Sequence, residues 1–203
     1  MDTGKTKTKV NVRYVTVTAM LSAIAFILMF IEFSVPFIMP EFIKMDLSEL
    51  PALIGAFAMG PVCGVTVCLV KNLLHLFIST TGGVGELSNF ILGAVFVLPA
   101  GLIYKHKKTR KNALIGSLLG AVIMALFSIV SNYYLVYPAY YRLMVPEETV
   151  FAAYQKILPS VENMLQCLVY FNMPFTLVKG LFSVVITFLV YKHISPILKG
   201  TNR

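Results

Sequence analysis

Residues 15–37, with the sequence VTVTAMLSAIAFILMFIEFSVPF, decide the class of fold. Their only charged residue is Glu32, and about 20 apolar residues are enough to cross a bilayer as a helix. A secretory signal peptide has a short apolar core followed by a small-residue cleavage site, which this stretch lacks. We therefore expect a first transmembrane helix that stays in the protein.

The composition of the whole chain also indicates a membrane protein. Of the 203 residues, 58% are hydrophobic and only 13% are charged. Soluble domains carry about 25% charged residues. A single soluble core could not bury this much apolar surface, so lipid must surround much of the chain.

The apolar segments predict six transmembrane helices in a single membrane domain that spans residues 1–203. The second and third helices are short, and Gly60-Pro61 between them predicts a tight reversal because proline cannot continue the helical hydrogen-bond ladder. If these two were one helix, the chain would cross the membrane five times. The predicted helices lie near residues 12–37, 47–60, 61–78, 86–104, 113–136 and 164–191.

The basic residues favour six crossings over five. Most of the 17 lysine and arginine residues form blocks before the first helix, between the fourth and fifth, and after the last. Six crossings place all three blocks on one side, which the positive-inside rule assigns to the cytoplasm. We therefore predict an all-α, multi-pass cell-membrane protein with both termini cytoplasmic, and these scattered blocks indicate no nucleic-acid partner. The residues are Lys5, Lys7, Lys9, Arg13, Lys105, Lys107, Lys108, Arg110, Lys111, Lys192, Lys199 and Arg203.

Patterns of catalytic and nucleotide-binding sites are missing. The glycine run at 82–85 lacks the Gly-Lys-Ser/Thr ending of a phosphate-binding loop, and no Gly-x-Ser-x-Gly pattern occurs. The histidines are scattered along the chain, without the spacing of a metal site. We expect no catalytic residue, no metal, no cofactor and no enzymatic activity. The predicted outer segments 38–46 and 137–163 are long, which indicates that a ligand is met on the outer side.

Lys179 is the strongest candidate for a ligand contact, because it falls near the middle of the sixth predicted helix. A lysine at that depth costs about 2.5–3.5 kcal/mol unless a partner or water receives it. Thr176 lies three residues earlier and so on the same face of the helix. The alternative is that Lys179 only pairs with a carboxylate or extends its ammonium group to the interface.

Other polar residues leave two interpretations open. Asn132, near the outer end of the fifth helix, either orients a ligand or caps the helix. Glu86 begins the fourth helix, where the helix dipole alone would favour an acidic residue. Lys71 and His75 in the third helix are expected to tie helices together rather than to bind solute.

Ala19 and Ala23 lie four residues apart in the first helix. Small residues at this spacing let another helix approach closely. The approaching helix belongs either to a partner protein or to this chain.

Longer motifs resemble those of a known family. The most specific is MDLSELPALIGAFAMGPVCG at 45–64, supported by KNLLH at 71–75, GGVGELSN at 82–89, NYY at 132–134 and PFTLVKG at 174–180. Through these motifs the chain resembles, over residues 12–193, the substrate-binding S components of energy-coupling-factor (ECF) vitamin transporters. The resemblance is strongest to the riboflavin-specific type.

The resemblance implies six helices, an outward-facing pocket and a loop after the first helix that helps to cover the ligand. It implies that Asn132 and Lys179 contact the vitamin and that Thr176 replaces an Asn of the family motif Pro-Phe-Asn-x-x-Lys-Gly. It also implies that Ala19 and Ala23 dock on a transmembrane coupling subunit, which two ATPase subunits drive. The candidate ligand-binding residues are Asn132, Thr176, Lys179, Asp46, Phe42, Glu86 and Asn89.

We therefore expect a protein that binds riboflavin from outside and delivers it for uptake together with an ECF module. Phe, Tyr, Leu and Met side chains would bury the flat rings, while a few polar groups would fix the hydroxylated tail. Riboflavin is neutral, so Lys179 would act as a hydrogen-bond donor. The alternatives are an S component for another vitamin or flavin relative, a small membrane enzyme, or a structural subunit without a ligand.

Overall fold

A computed structural model describes residues 12–199 and the side chains of residues 12–190, and over this range the chain is mostly helical. A 3₁₀ turn at Leu76–Ile78 extends the third helix, and π-helical turns at Asn132–Val136 and Leu168–Asn172 connect consecutive helices. Two short strands, β1 (Phe33–Ser34) and β2 (Lys44–Met45), pair antiparallel. The helices are α1 Val12–Met29, α2 Glu49–Met59, α3 Pro61–His75, α4 Val84–His106, α5 Arg110–Ser131, α6 Tyr137–Leu143, α7 Glu147–Gln155, α8 Met164–Cys167 and α9 Met173–Lys199.

Five helical segments of the described chain are long and apolar enough to cross a membrane. The apolar helix α2 has only 11 residues, which gives a rise of about 16 Å against a bilayer core of roughly 30 Å. Whether the chain crosses five or six times therefore depends on α2. The termini and the basic residues at 5, 7, 9 and 203 lie outside the described residues, as do the side chains at 192 and 199. The five segments are Val12–Met29, Pro61–Ile78, Val84–His106, Arg110–Leu143 and Met164–Val190.

The predicted end of the first helix, at residue 37, was wrong. The helix ends at Met29, and the chain then forms β1, which pairs with β2 in a small hairpin. Pro36 and Pro40 lie in the loop of this hairpin, where proline disfavours continuation of a helix. An ion pair between Glu32 and Lys44 joins the two sides of the hairpin.

The predicted end of the fifth helix, at residue 136, was also wrong. A continuous helix runs from Arg110 to Leu143 through the π-helical turn Asn132–Val136. Pro138 occupies the first turn of α6, and a wider π-helical turn is one way for a helix to continue around a residue that has no N–H to donate. Together with α7, this makes much of the predicted outer loop 137–163 helical.

The helices α2 and α3 form a tight pair that reverses at Gly60. Gly60 has a φ of +106°, a conformation that glycine adopts without steric cost, and Pro61 is the first residue of α3. Gly64 faces α2 so closely that an added Cβ would lie 2.8 Å from the carbonyl oxygen of Ala52. The reversal predicted at Gly60-Pro61 is therefore present, and the two short helices are separate.

The contact between α4 and α5 depends on the missing side chain of Gly120. A Cβ at this position would lie 2.4 Å from the carbonyl oxygen of Phe96, which is backbone and cannot move aside. We expect Gly120→Ala to cost about 1–3 kcal/mol of stability, measured as a lower melting temperature in detergent. The matched control is Gly55→Ala, because its added Cβ would meet only side-chain atoms, at 3.2 Å. Equal melting temperatures for the two variants would contradict this account of the helix contact.

Candidate ligand-binding site

A cavity of about 450 Å³ lies where the β1–β2 hairpin, the start of α4 and the two π-helical turns meet. Its volume is within the range of small-molecule sites, and its wall combines apolar, aromatic and polar side chains. All the side chains predicted to bind ligand line this one cavity. They are Asn132, Thr176, Lys179, Asp46, Phe42, Glu86 and Asn89.

Lys179 is largely buried and paired with carboxylates. Its Nζ lies 2.9 Å from Asp46 Oδ2 and 3.5 Å from Glu49 Oε2, and it donates to Asn89 Oδ1 at 3.4 Å. The carboxylate pairing considered from the sequence is therefore present. Because Lys179 also lines the cavity, pairing and ligand contact are compatible.

A second lysine completes the charged cluster. Lys71 is fully buried, its Nζ lies 3.0 Å from Glu49 Oε1, and it also donates to the Ser48 hydroxyl. Lys71 thus ties α3 to α2, as expected. Glu49 lines the cavity but was missed as a site residue. Two lysines within apolar helices require carboxylate partners, and that requirement was the sequence signal for Glu49.

Asp46 connects the segment between α1 and α2 to this cluster. Its Oδ1 accepts hydrogen bonds from the backbone N–H of Ser48, at 2.8 Å, and from the Ser48 hydroxyl. Burial by itself raises the pKa of Asp46, but the ammonium groups of Lys179 and Lys71 and the Ser48 hydrogen bond lower the pKa below its usual range. Asp46 is therefore a carboxylate at neutral pH.

This lowered pKa predicts how the contribution of Asp46 depends on pH. A group whose pKa is depressed by folding stabilises the fold above its unfolded pKa, about 3.9 for Asp, and loses that contribution as the pH falls through the folded pKa. We expect the difference in melting temperature between the wild type and Asp46→Asn to stay constant from pH 8 to pH 5 and to shrink below about pH 4. A difference that already disappears between pH 7 and pH 5 would contradict an ionised, lysine-paired Asp46.

Glu86 is held by a network at the start of α4. Its Oε1 lies 2.7 Å from His75 Nδ1, and its Oε2 accepts from Ser79 Oγ at 2.7 Å and Thr81 Oγ1 at 3.2 Å. These bonds join α3 to α4 through a turn in which Gly82 and Gly83 have positive φ angles. Glu86 therefore has a structural role beyond the favourable interaction of an acidic side chain with the helix dipole. His75 ties helices together, as expected.

The two π-helical turns supply amide and phenol groups to the cavity. Asn132 follows the last residue of α5 as its C-cap and begins the first turn, through which the helix continues to Leu143. Asn172 ends the second turn, where it accepts from Tyr154 at 2.6 Å and donates to Tyr137 at 3.0 Å. Asn172 and Tyr137 were not predicted as site residues, although an amide in an apolar segment was a usable signal for Asn172. Thr176, one helical turn after Asn172, is buried.

The hairpin loop covers the cavity with apolar side chains. Met39 is completely buried. The ring of Phe42 stacks on Tyr140, with centroids 5.9 Å apart and an interplanar angle of 29°, and lies edge-on to Tyr154. These contacts hold the loop against α6 and α7 and leave Phe42 at the cavity wall.

Ala19 and Ala23 lie on the exposed side of α1. The opposite side of the helix, with Leu21, Ser22 and Ala25, is buried against the rest of the chain. The alternative that the two alanines pack internally was therefore wrong, and the small-residue patch is accessible to a helix from outside the chain.

Comparisons with known proteins agree with this architecture. The sequence profile described as "ECF transporter, substrate-specific component" matches residues 13–191. The riboflavin transporter RibU of Staphylococcus aureus is 34% identical over 190 residues, which cover 93% of this chain and 93% of that protein. The riboflavin transporter FmnP of Bacillus subtilis is 30% identical over 92% of this chain and 94% of its own length.

A solved structure of the S component of a bacterial ECF transporter has the same fold. The two structures superimpose with a TM-score of 0.72 at 32% sequence identity, over 92% of this chain and 98% of the other. The family resemblance stated from the motifs is confirmed. The chain is a multi-pass membrane protein that belongs to the family of ECF transporter substrate-specific components.

Proposed function

We propose that this protein captures riboflavin in its covered cavity from the outer side of the membrane and delivers it for uptake through an ECF energy-coupling module. The observation that carries the proposal is the convergence of all the predicted binding side chains on one cavity of about 450 Å³. The relatives that match nearly the whole chain are riboflavin transporters, which supports riboflavin as the ligand.

The wall of the cavity suits a flat ring system with a hydroxylated tail. Met39, Phe42, Tyr140 and Phe175 provide apolar and aromatic surface against which the rings can be buried. Asn132, Asn89 and Thr176 offer donors and acceptors for ring carbonyls and tail hydroxyls. The charge of Lys179 is already matched by Asp46. A neutral ligand therefore needs only a hydrogen bond from the Lys179 ammonium group.

The arrangement of α2 supports six crossings with both termini in the cytoplasm. Asp46 and Glu49, at the start of α2, line the cavity together with the end of α1. Gly60, at the other end of α2, lines a second cleft together with Tyr14 and Tyr104. These two tyrosines lie at the ends of α1 and α4 that are farther from the cavity. Short as it is, α2 thus runs from the cavity side to the opposite side, in one membrane domain with the other helices.

Uptake by this protein requires partners that supply energy. We assign that role to a transmembrane coupling subunit driven by two ATPase subunits, with no catalysis by this chain. The exposed alanines of α1 suit a docking helix from the coupling subunit, since small side chains permit close helix contact.

The experiment is a competition panel on the purified protein in detergent. Riboflavin fluorescence is quenched when the ring system stacks against aromatic side chains, and the chain contains no tryptophan that would add its own emission. We expect saturable quenching of riboflavin fluorescence by one site, which an excess of thiamine or biotin does not reverse. Saturable binding of a different vitamin in place of riboflavin would leave an S component with another substrate, and no saturable binding at all would contradict the proposal.

A further inference from the structure

We propose that the cavity selects the uncharged vitamin over its 5′-phosphate, and that Glu32 enforces this choice by neutralising Lys44 at the cavity mouth. The inference rests on the proposed function, since it concerns which form of the flavin the same site accepts. It follows from the charges around the cavity and from the way each of them is already paired.

In the part of the chain that the structure describes, each cationic side chain in the cavity wall or directly behind it is paired with a carboxylate. Lys179 pairs with Asp46 at 2.9 Å, Lys71 with Glu49 at 3.0 Å, and Lys44 with Glu32. The ring of His75 lies 2.7 Å from Glu86. These four carboxylates face three ammonium groups, so the set is not positive even when the histidine is protonated. A phosphate monoester carries about −1.5 to −2 charges at neutral pH and would meet no unmatched positive charge here.

The backbone offers no substitute at the start of α4. A helix N-terminus binds phosphate through free N–H groups, and Val84 and Gly85 line the cavity. The N–H of Gly83 is already bonded to Ser79 Oγ at 3.0 Å, and that of Gly85 to Thr81 Oγ1 at 3.0 Å. The carboxylate of Glu86 lies in the same first turn and repels an anion.

The mouth is the position at which a phosphate would be least costly. The side chains of Glu32 and Lys44 are 37% and 43% exposed, whereas those of Asp46 and Lys179 are nearly buried. A dianion would lose much of its hydration deep in the cavity, beside Asp46, Glu49 and Glu86. At the mouth it would keep water and meet Lys44, whose charge Glu32 cancels. Removing the charge of Glu32 should therefore make it easier for the site to bind the phosphate form.

The test measures the dissociation constants of riboflavin and riboflavin 5′-phosphate by fluorescence quenching. The readout is the dissociation constant of the phosphate form divided by that of riboflavin. We expect the wild type to bind the phosphate form at least about tenfold more weakly. Glu32→Gln should reduce this ratio about fivefold by freeing Lys44, and Lys44→Gln should increase it by leaving Glu32 unpaired. Glu41→Gln is the matched control, because Glu41 lies in the same loop but does not line the cavity, so its ratio should stay near that of the wild type.

The possible outcomes separate this inference from the proposed function. Equal affinity of the wild type for the two flavins would overturn the inference and leave riboflavin capture intact. A ratio that responds equally to Glu32→Gln and Glu41→Gln would also overturn it, because overall charge would then account for the effect. Absence of riboflavin binding in the wild type would instead contradict the proposed function.

Discussion

Lys179→Ala is expected to weaken riboflavin binding by about 1.5–3 kcal/mol, which corresponds to a loss of affinity of roughly 10- to 150-fold. The substitution removes a donor from the cavity wall and leaves Asp46 without its partner at 2.9 Å. Glu49 retains Lys71, so the larger part of the cluster stays paired. Fluorescence titration of the purified variant measures the effect, and its melting temperature shows whether the variant folds.

A double variant distinguishes a direct contact from an effect through the ion pair. If Lys179 acts only by compensating Asp46, then Lys179→Met combined with Asp46→Asn removes both charges and should restore binding to near the wild-type value. We expect the double variant to remain weak, because the ligand loses the donor in either case. Unchanged affinity in a folded Lys179→Ala protein would remove Lys179 from the binding site.

Ala19→Leu combined with Ala23→Leu is expected to abolish riboflavin uptake by cells while leaving binding to the purified protein within about twofold of the wild type. Both alanines are exposed on α1 and lie away from the cavity, so larger side chains there block only a helix that approaches from outside. Uptake of labelled riboflavin by cells that express each variant measures the first quantity, and detergent titration measures the second.

The matched control for the alanine pair is Val185→Phe. Val185 is 57% exposed on α9, so this change also adds bulk to the outer surface of the helix bundle. We expect it to preserve uptake. Full uptake by the double leucine variant would show that the alanine patch does not dock on the coupling subunit.

The sequence predicted the site better than it predicted the ends of the helices. Lys179 could be selected because a charge within an apolar helix is costly unless it is paired or functional. Asn132 and Thr176 were selected from their positions in the predicted helices and from the family motifs, and both line the cavity. The buried lysines required carboxylate partners, but Glu49 was missed because the choice of partner depends on how α2 packs on α3.

The predicted ends of the first and fifth helices were wrong for physical reasons that hydropathy does not measure. Residues 30–37 are apolar enough to continue α1, but the pairing of Phe33 with Met45 turns them into a hairpin. Pro138 lies just beyond the predicted end of the fifth helix, and the π-helical turn Asn132–Val136 carries the helix past it. In the hairpin, pairing with β2 outweighed the local preference of the chain, and at Pro138 the helix continued through a local change in its winding.

The most direct test of riboflavin capture is the visible absorbance of the protein purified in detergent from cells grown with riboflavin. We expect a yellow preparation with a flavin band, and release on denaturation of close to one riboflavin per chain. A colourless preparation that also fails to quench added riboflavin would contradict the assignment of the ligand.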